Sequence, residues 1–406
     1  FGENKMVELT IIFLGLLLLA FGVLKIGDIF SPWFITTGIW FFIVVFFQIS
    51  SGLLYPLQDR FYICLLLWVP IMCFTGIMTY YALPSVKSEI EPIRNELEIH
   101  KTIFLIFFII SMICTPLYIY KIYKVVIMFG TQDLLFNLRI LAGAEDEDPL
   151  AKLLKYINAV NQALYIIAIW RYPKISKTQL TLIIIANFMC AIAIMEKGAL
   201  FFMLFTTLFT LYQKEKIKMR SILLWGVVII FVFYGINILR RSEDAKVSDN
   251  STLLDFIAMY ILSPPVAFEQ VQEKLTPQFG SRTFAFFYAV ASKLGFGKFV
   301  IEPKLQEFVY VPIQTNVYTV FQPFFQDFGY KGVAFFASIY GTFTGWLYKQ
   351  AKNGGAISKC MYTYIVEILI LQFFQENLIL SLSLLFQYLI VFTFILQKKI
   401  KFVVRA

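Results

Sequence analysis

The chain has 406 residues, 59% of them hydrophobic and only 15% charged; soluble domains run near 25% charged, so a globular enzyme is excluded and a polytopic membrane protein is expected. The formal net charge of +9 does not point to nucleic acid, because the excess Lys and Arg stand in short loops beside apolar runs. Five cysteines without CxxC or Cys/His spacing and a single histidine, His100, suggest neither a zinc site nor a disulfide framework.

A spanning helix needs roughly 20 apolar residues at about 1.5 Å each. On that rule spans are predicted near Val7–Leu24, Trp33–Leu54, Phe61–Leu83 and Ile103–Tyr120, with Pro70 and Pro116 inside two of them. The first run carries no small-residue cleavage site and reads as a span, not a cleaved leader. Val125–Leu141 is ambiguous: it is apolar enough to enter a membrane but holds Gln132, Asp133, Asn137 and Arg139. Further spans are predicted near Tyr156–Trp170, Leu180–Met195, Gly198–Tyr212, Ser221–Ile238, Gly332–Leu347, Met361–Phe374 and Leu378–Leu396. The expected architecture is an all-α polytopic bundle of about 12 spans, or 11 if Val125–Leu141 does not cross.

Three regions follow: N-terminal spans over 1–239, a long non-spanning segment over 240–331, and C-terminal spans over 332–406. Basic clusters at Arg171/Lys174/Lys177, Lys214–Arg220, Lys349–Lys359 and Lys398–Arg405 occupy alternate loops and place those loops, and the C-terminus, in the cytoplasm. The long segment is then external. It holds nine Lys/Arg against nine Asp/Glu, and long segments escape the charge bias in any case.

Candidate chemistry gathers around that segment. Arg240, Arg241, Arg282, Arg139 and Lys197 are expected at or near the external surface, where a guanidinium fork suits a phosphate or diphosphate. Taken singly, each arginine has an ordinary alternative in snorkelling or in pairing with acids such as Glu243 and Asp244. Lys197 stands in the short hairpin Glu196-Lys197-Gly198, where a charged pair also simply marks a turn. Asp327 lies among phenylalanines in Phe324-Phe-Gln-Asp-Phe-Gly329. It is expected either as a general base or as a cap or turn residue before the span at Gly332. Gln314, Asn316 and Tyr318 offer the amide and phenol groups that orient sugar hydroxyls, and Glu376 and Glu196 are further carboxylates at external turns. The acidic run Glu145–Asp148 contains an Asp-x-Asp but reads as a solvated face, not a metal site. No cofactor or metal is expected. The absence of matching broken helices in two halves weighs against a transporter built from inverted repeats.

The pattern Thr315-Asn-Val-Tyr-Thr319 … Asp327-Phe-Gly329 … Gly332, after a long external segment late in a polytopic chain, resembles the oligosaccharide repeat-unit polymerases, the Wzy-type O-antigen and capsule polymerases related to the O-antigen ligases. The Lys197-Gly198 hairpin resembles the same family, which usually has Arg at that place. The resemblance implies a GT-C-like, lipid-dependent glycosyltransferase of the bacterial inner membrane. Such an enzyme joins undecaprenyl-pyrophosphate-linked repeat units at the periplasmic face, inverting and metal-independent, alongside a chain-length regulator and a flippase. It also implies roles: Asp327, Arg282, Arg240 and Arg241 in catalysis, and Asn316, Tyr318, Gln314, Lys197, Arg139 and Glu376 in substrate binding. A flippase of lipid-linked oligosaccharide and an O-antigen ligase are the competing readings, and the lack of a loop histidine speaks against the ligase.

Overall fold

The computed structural model describes residues 3–50, 54–84, 97–128, 149–193, 197–218, 253–273, 278–302 and 306–396, with a few isolated positions besides. Helices dominate. α1 (Glu3–Val23), α2 (Pro32–Ile49), α3 (Asp59–Ala82) and α4 (Lys101–Ile127) follow the first four predicted spans, and α3 and α4 run through Pro70 and Pro116. Short α5 (Pro149–Leu154) precedes α6 (Ile157–Arg171), α7 (Lys177–Ala193) and α8 (Lys197–Gln213). Then come α9 (Leu253–Phe268), α10 (Ala285–Lys293), and a two-residue antiparallel hairpin of β1 (Val309–Tyr310) and β2 (Gln314–Thr315). α11 (Gln322–Lys352), α12 (Ala356–Ile370), a 3-10 turn over Leu371–Phe373 and α13 (Leu382–Leu396) complete the order. Five helices among the described residues are long and apolar enough to cross a membrane, so the chain is an all-α polytopic membrane protein apart from the small hairpin. Most of Val125–Leu141 and of the expected span Ser221–Ile238 lies outside the described residues.

Two compact units divide the chain. The first holds Phe1–Val86, Ser251–Asn353 and Ile365–Ser383, and so contains α1 to α3, α9 to α11 and the 3-10 turn. Its centre is the pairing of α3 with α11, which the sequence permits because Gly76 of α3 meets Gly341 and Gly345 of α11. A Cβ built on Gly76 would lie 3.2 Å from the Gly341 carbonyl, and one on Gly345 would lie 2.9 Å from the Gly76 Cα. Small residues four apart let two backbones touch, which is how helices pack where lipid removes the hydrophobic drive.

Aromatic rings fill the same unit at the start of α11. Phe321 stacks on Trp40 at 4.9 Å, Phe324 stacks on Phe336 at 4.4 Å and on Trp68 at 5.8 Å, and Phe268 packs edge-on to Phe321 and Phe325. Gln372 ties this core together. Its amide accepts from the Trp68 indole at 2.8 Å and donates to Thr36 at 2.9 Å, while its carbonyl takes the Val320 N–H at 2.9 Å. The segment leading into α11 is thereby held at a fixed height.

The second unit holds Lys87–Asn250, Gly354–Tyr364 and Leu384–Ala406. Buried Asn161 on α6 is its polar hub: its amide takes the Ser111 hydroxyl at 2.5 Å and donates to Thr115 at 2.9 Å, and its carbonyl receives Asn187 at 2.9 Å. Satisfied amides of this kind join α4, α6 and α7 where an unpaired one would be costly. His100 is exposed and caps α4 through its ring nitrogen.

The region read as non-spanning is not irregular. It carries α9, α10, the hairpin and the first turns of α11, which starts at Gln322, ahead of the start expected at Gly332. Apolar periodicity was diluted there by Pro264, Pro265 and interspersed glutamines, yet α9 still forms with both prolines inside it.

Candidate functional site

Within the first unit, a cavity of about 330 Å³ opens beside the N-terminus of α11. Its chemistry comes from Arg282, Tyr318, five glutamines (270, 272, 306, 322 and 326) and two carboxylates, Glu273 and Glu307. The size sits at the lower end of small-molecule sites, roughly 300–1,000 Å³.

Local sequence explains how these side chains converge. In Phe321-Gln-Pro-Phe-Phe-Gln326 the phenylalanines enter the aromatic core, which leaves Gln322 and Gln326, four apart and so one above the other on a helix, to face the cavity. Their amides bond to each other at 2.5 Å, and Gln322 also reaches Gln306 at 3.3 Å. On the opposite wall, Gln270-Val-Gln-Glu273 follows α9. Arg60 of α3 fixes its backbone, donating to the Glu269 carbonyl at 2.7 Å and to that of Val271 while its guanidinium lies 5.4 Å over the Phe325 ring. The Glu269 carboxylate caps α3 in return, accepting from Gln58 and Phe61 N–H at 3.0 and 2.9 Å. Burial pushes the Glu269 carboxyl up from its ordinary value, and these donors together with Arg60 oppose that rise.

Arg282 is 8% exposed. Its guanidinium donates to Gln306 and pairs with Glu302 at 3.3 Å, while its Nε has no hydrogen-bond partner among the described residues. Tyr318 is buried and donates its hydroxyl to the Glu307 carbonyl at 3.0 Å. Burial, and secondarily Glu307, raises its phenol above the usual range, with Arg282 pulling the other way, so it remains a neutral donor.

Asp327 stands inside α11, not at its end, and its carboxylate turns toward the Gly280–Thr283 loop. One oxygen accepts the Thr283 N–H at 2.7 Å and the other the Arg282 N–H at 3.4 Å. Two residues on, Gly329 breaks the helix with φ +60° and ψ −152°, a conformation that glycine adopts without strain. A Cβ there would also stand 2.8 Å from the Glu273 carboxylate. Gly332 has no room for a side chain either, because the Phe324 carbonyl and Phe328 Cβ occupy the place. The Asp-x-Gly…Gly pattern is therefore a device that pins the arginine loop and bends α11 under the cavity.

The structure brings Arg282, Tyr318 and Asp327 together. Gln314 is exposed on β2, and Asn316 follows the hairpin; neither lines the cavity. Glu376 is buried away from it: its carboxylate accepts from the Tyr340 hydroxyl and from the N–H groups of Leu378, Ile379 and Leu380 at 2.7–2.8 Å, which builds the turn into α13. Lys197 opens α8 in the second unit. Arg139, Arg240, Arg241 and Glu196 lie outside the described residues. The cavity's glutamines, its two carboxylates and Arg60 were not singled out from sequence.

Compared with known proteins, the chain is 24% identical over 369 residues to an Escherichia coli (strain K12) protein named "Putative O-antigen polymerase", covering 88% of this chain and 89% of that one. The resemblance to repeat-unit polymerases holds. The likeness runs over most of the chain, well beyond the short motif on which the resemblance rests. No family model matches the chain, and no solved structure matches it.

An expected result follows from the Asp327 geometry. Asp327→Asn leaves one backbone N–H facing an amide donor, which costs on the order of 1–3 kcal/mol of loop order. Polymer-forming activity is expected to fall about tenfold, with the pH profile unmoved; abolition with a shifted profile would make Asp327 the proton acceptor itself.

Proposed function

We propose that this chain is a polymerase that joins lipid-linked oligosaccharide repeat units into an O-antigen or related surface polysaccharide. The observation that carries the reading is the glutamine- and arginine-lined cavity, in a chain similar over most of its length to a protein of that name. The cavity sets one guanidinium against two carboxylates. That balance is a poor home for a diphosphate and a good one for neutral sugar hydroxyls, which amides can both donate to and accept from. The cavity is accordingly the acceptor sugar's site. Arg282 anchors that sugar and Asp327 holds the arginine loop in place.

The donor is an oligosaccharide on undecaprenyl pyrophosphate, bound at the periplasmic face of the inner membrane in a bundle of about 11 to 12 spans of GT-C-like type. An acceptor hydroxyl oxygen attacks the anomeric carbon, the bond to the diphosphate oxygen breaks, and configuration inverts. The hydroxyl proton passes to Glu273 or Glu307, the carboxylates on the cavity wall. Charge developing on the diphosphate falls to Arg240, Arg241, Arg139 and Lys197, without a metal. A flippase supplies the lipid-linked units, and a chain-length regulator acts on the product.

Purified chain in lipid, mixed with lipid-linked repeat units, is expected to give a ladder of lengthened products. Translocation without lengthening would replace the polymerase by a transporter, and transfer only to a lipid A core would replace it by a ligase. Glu273→Gln and Glu307→Gln identify the base: the variant that loses the ladder and shifts the pH profile holds the proton acceptor.

A further inference from the structure

Arg282, on the cavity wall, pairs with Glu302 at 3.3 Å, and the chain between them makes an excursion that carries α10 and the turn over 294–301. No residue of α10 is buried. Phe279 and Phe287 are exposed at its root. At its tip Leu294, Phe296 and Val300 are 67%, 77% and 72% exposed, with Ile301 exposed beside them. Apart from Lys293 and Lys298, residues 283–301 hold no charge. A run of large apolar side chains turned outward together marks an interaction surface.

A defined backbone holds these side chains outward. α10 ends in a Schellman turn: Gly295 takes φ +83°, its N–H donates to the Ser292 carbonyl at 3.1 Å, and the Phe296 N–H donates to the Ala291 carbonyl at 3.0 Å. An apolar residue at the Phe296 position of such a turn commonly folds back onto the helix, yet Phe296 stays exposed. Gln278 clamps the returning chain, its amide donating to the Val300 carbonyl at 2.9 Å and accepting the Val300 N–H at 3.1 Å. Tyr288 donates its hydroxyl to the Phe279 carbonyl, and its ring lies 5.1 Å from that of Phe299.

The root of the excursion lies at membrane depth. α3 and α11 run parallel, since Arg60 lies over Phe325 and Gly76 meets Gly341. α3 is long and apolar enough to span; at about 1.5 Å per residue it extends roughly 36 Å, against a bilayer hydrocarbon core of about 30 Å. Trp68 stands about 13 Å along it. Phe336 reaches the same height on α11, for it stacks on Phe324, itself stacked on Trp68, and precedes Gly341 by about 7 Å of helix. The Phe284 ring, just before α10, is centred 6.2 Å from that of Phe336. The excursion therefore leaves the helix pair below the membrane surface, not above it.

We propose that residues 283–301 are an interfacial element immersed in the bilayer, with the acyl chains of membrane lipids packed against Leu294, Phe296 and Val300. Lys293 and Lys298 flank the tip, where their stems lie along apolar surface and their ammonium groups reach the headgroups. The sugar cavity, tied to the excursion through Arg282, is thereby held at the membrane surface. That lipid contact does not depend on which reaction the cavity performs.

The test places a small thiol-reactive fluorophore on the full chain carrying Phe296→Cys or, as a second site, Leu294→Cys. The five native cysteines are buried or half-buried, and the unsubstituted chain gives the labelling background. Leu19→Cys, exposed on the apolar helix α1, is the lipid reference, and Gln314→Cys, exposed on the hairpin, is the water reference. Each labelled protein is placed in phosphatidylcholine vesicles with or without bromine on the acyl chains, and iodide is added to the water. Brominated chains are expected to quench the labels at 296 and 294 at least half as strongly as the label at 19. Iodide is expected to quench them at least fivefold less than the label at 314. Iodide quenching equal to that at 314 would put the excursion in water and overturn the proposal. Protection from both quenchers would overturn it too, because a second copy or another protein would then cover the tip.

Discussion

Arg282→Ala is expected to abolish the product ladder, lowering transfer by about 10²- to 10³-fold, the usual cost of losing one preorganised donor at a reacting centre. The side chain is 8% exposed and already organises two neighbours, Gln306 and Glu302, while its Nε meets no acceptor among the described residues. Lysine is not expected to rescue the activity, because a point charge cannot serve Gln306, Glu302 and a sugar oxygen at once as a planar fork does. Removing the cation also removes its ion pair with Glu302, so local loosening is expected to contribute to the loss. The double variant Arg282→Ala/Glu302→Gln separates the two causes: it is expected to restore the unfolding temperature and leave the ladder absent. Recovery of chain length in the double variant, or unchanged lengths in the single one, would remove Arg282 from the acceptor site.

The helices were legible because a spanning segment must hide every backbone N–H and carbonyl, which forces long apolar runs that composition alone reveals. What composition could not show is where polar residues converge. Arg282 and Tyr318 stand 36 positions apart and meet only because Asp327 pins one loop and Gln372 the other. The glutamines were missed because a neutral amide gives no charge signal, although two patterns announced them. Gln322 and Gln326 recur four apart among phenylalanines that must go inward, and Glu269-Gln-Val-Gln-Glu273 is a polar run directly after an apolar helix. Asp327 illustrates the converse. Its place among phenylalanines suited a general base and a cap or turn residue alike, and only the fold shows that the backbone of a distant loop donates to it. Glu376 likewise finds four donors in its own turn and in Tyr340, an arrangement that a short external connection in the sequence does not reveal.

Gly341→Leu is expected to prevent stable assembly of the first unit. Added methylenes in a packed core commonly cost about 1–3 kcal/mol when neighbours can shift. Here the space is occupied by the Met72 carbonyl and the Thr75 hydroxyl, with the Gly76 nitrogen 3.0 Å away, so most of the obstacle is backbone. Moving α3 aside to admit the side chain would also separate the aromatic stack at Trp68 and Phe324 and the Arg60 contacts that shape the sugar cavity. The loss is therefore expected in protein recovered from the membrane as well as in polymerisation, whereas the larger effect of Arg282→Ala is expected on polymerisation. Gly22→Ala in α1 is the matched control, since nothing stands within 4 Å of a Cβ there and alanine favours a helix by roughly 1 kcal/mol over glycine. Normal recovery and activity of the Gly341→Leu protein would show that α3 and α11 do not approach through their glycines.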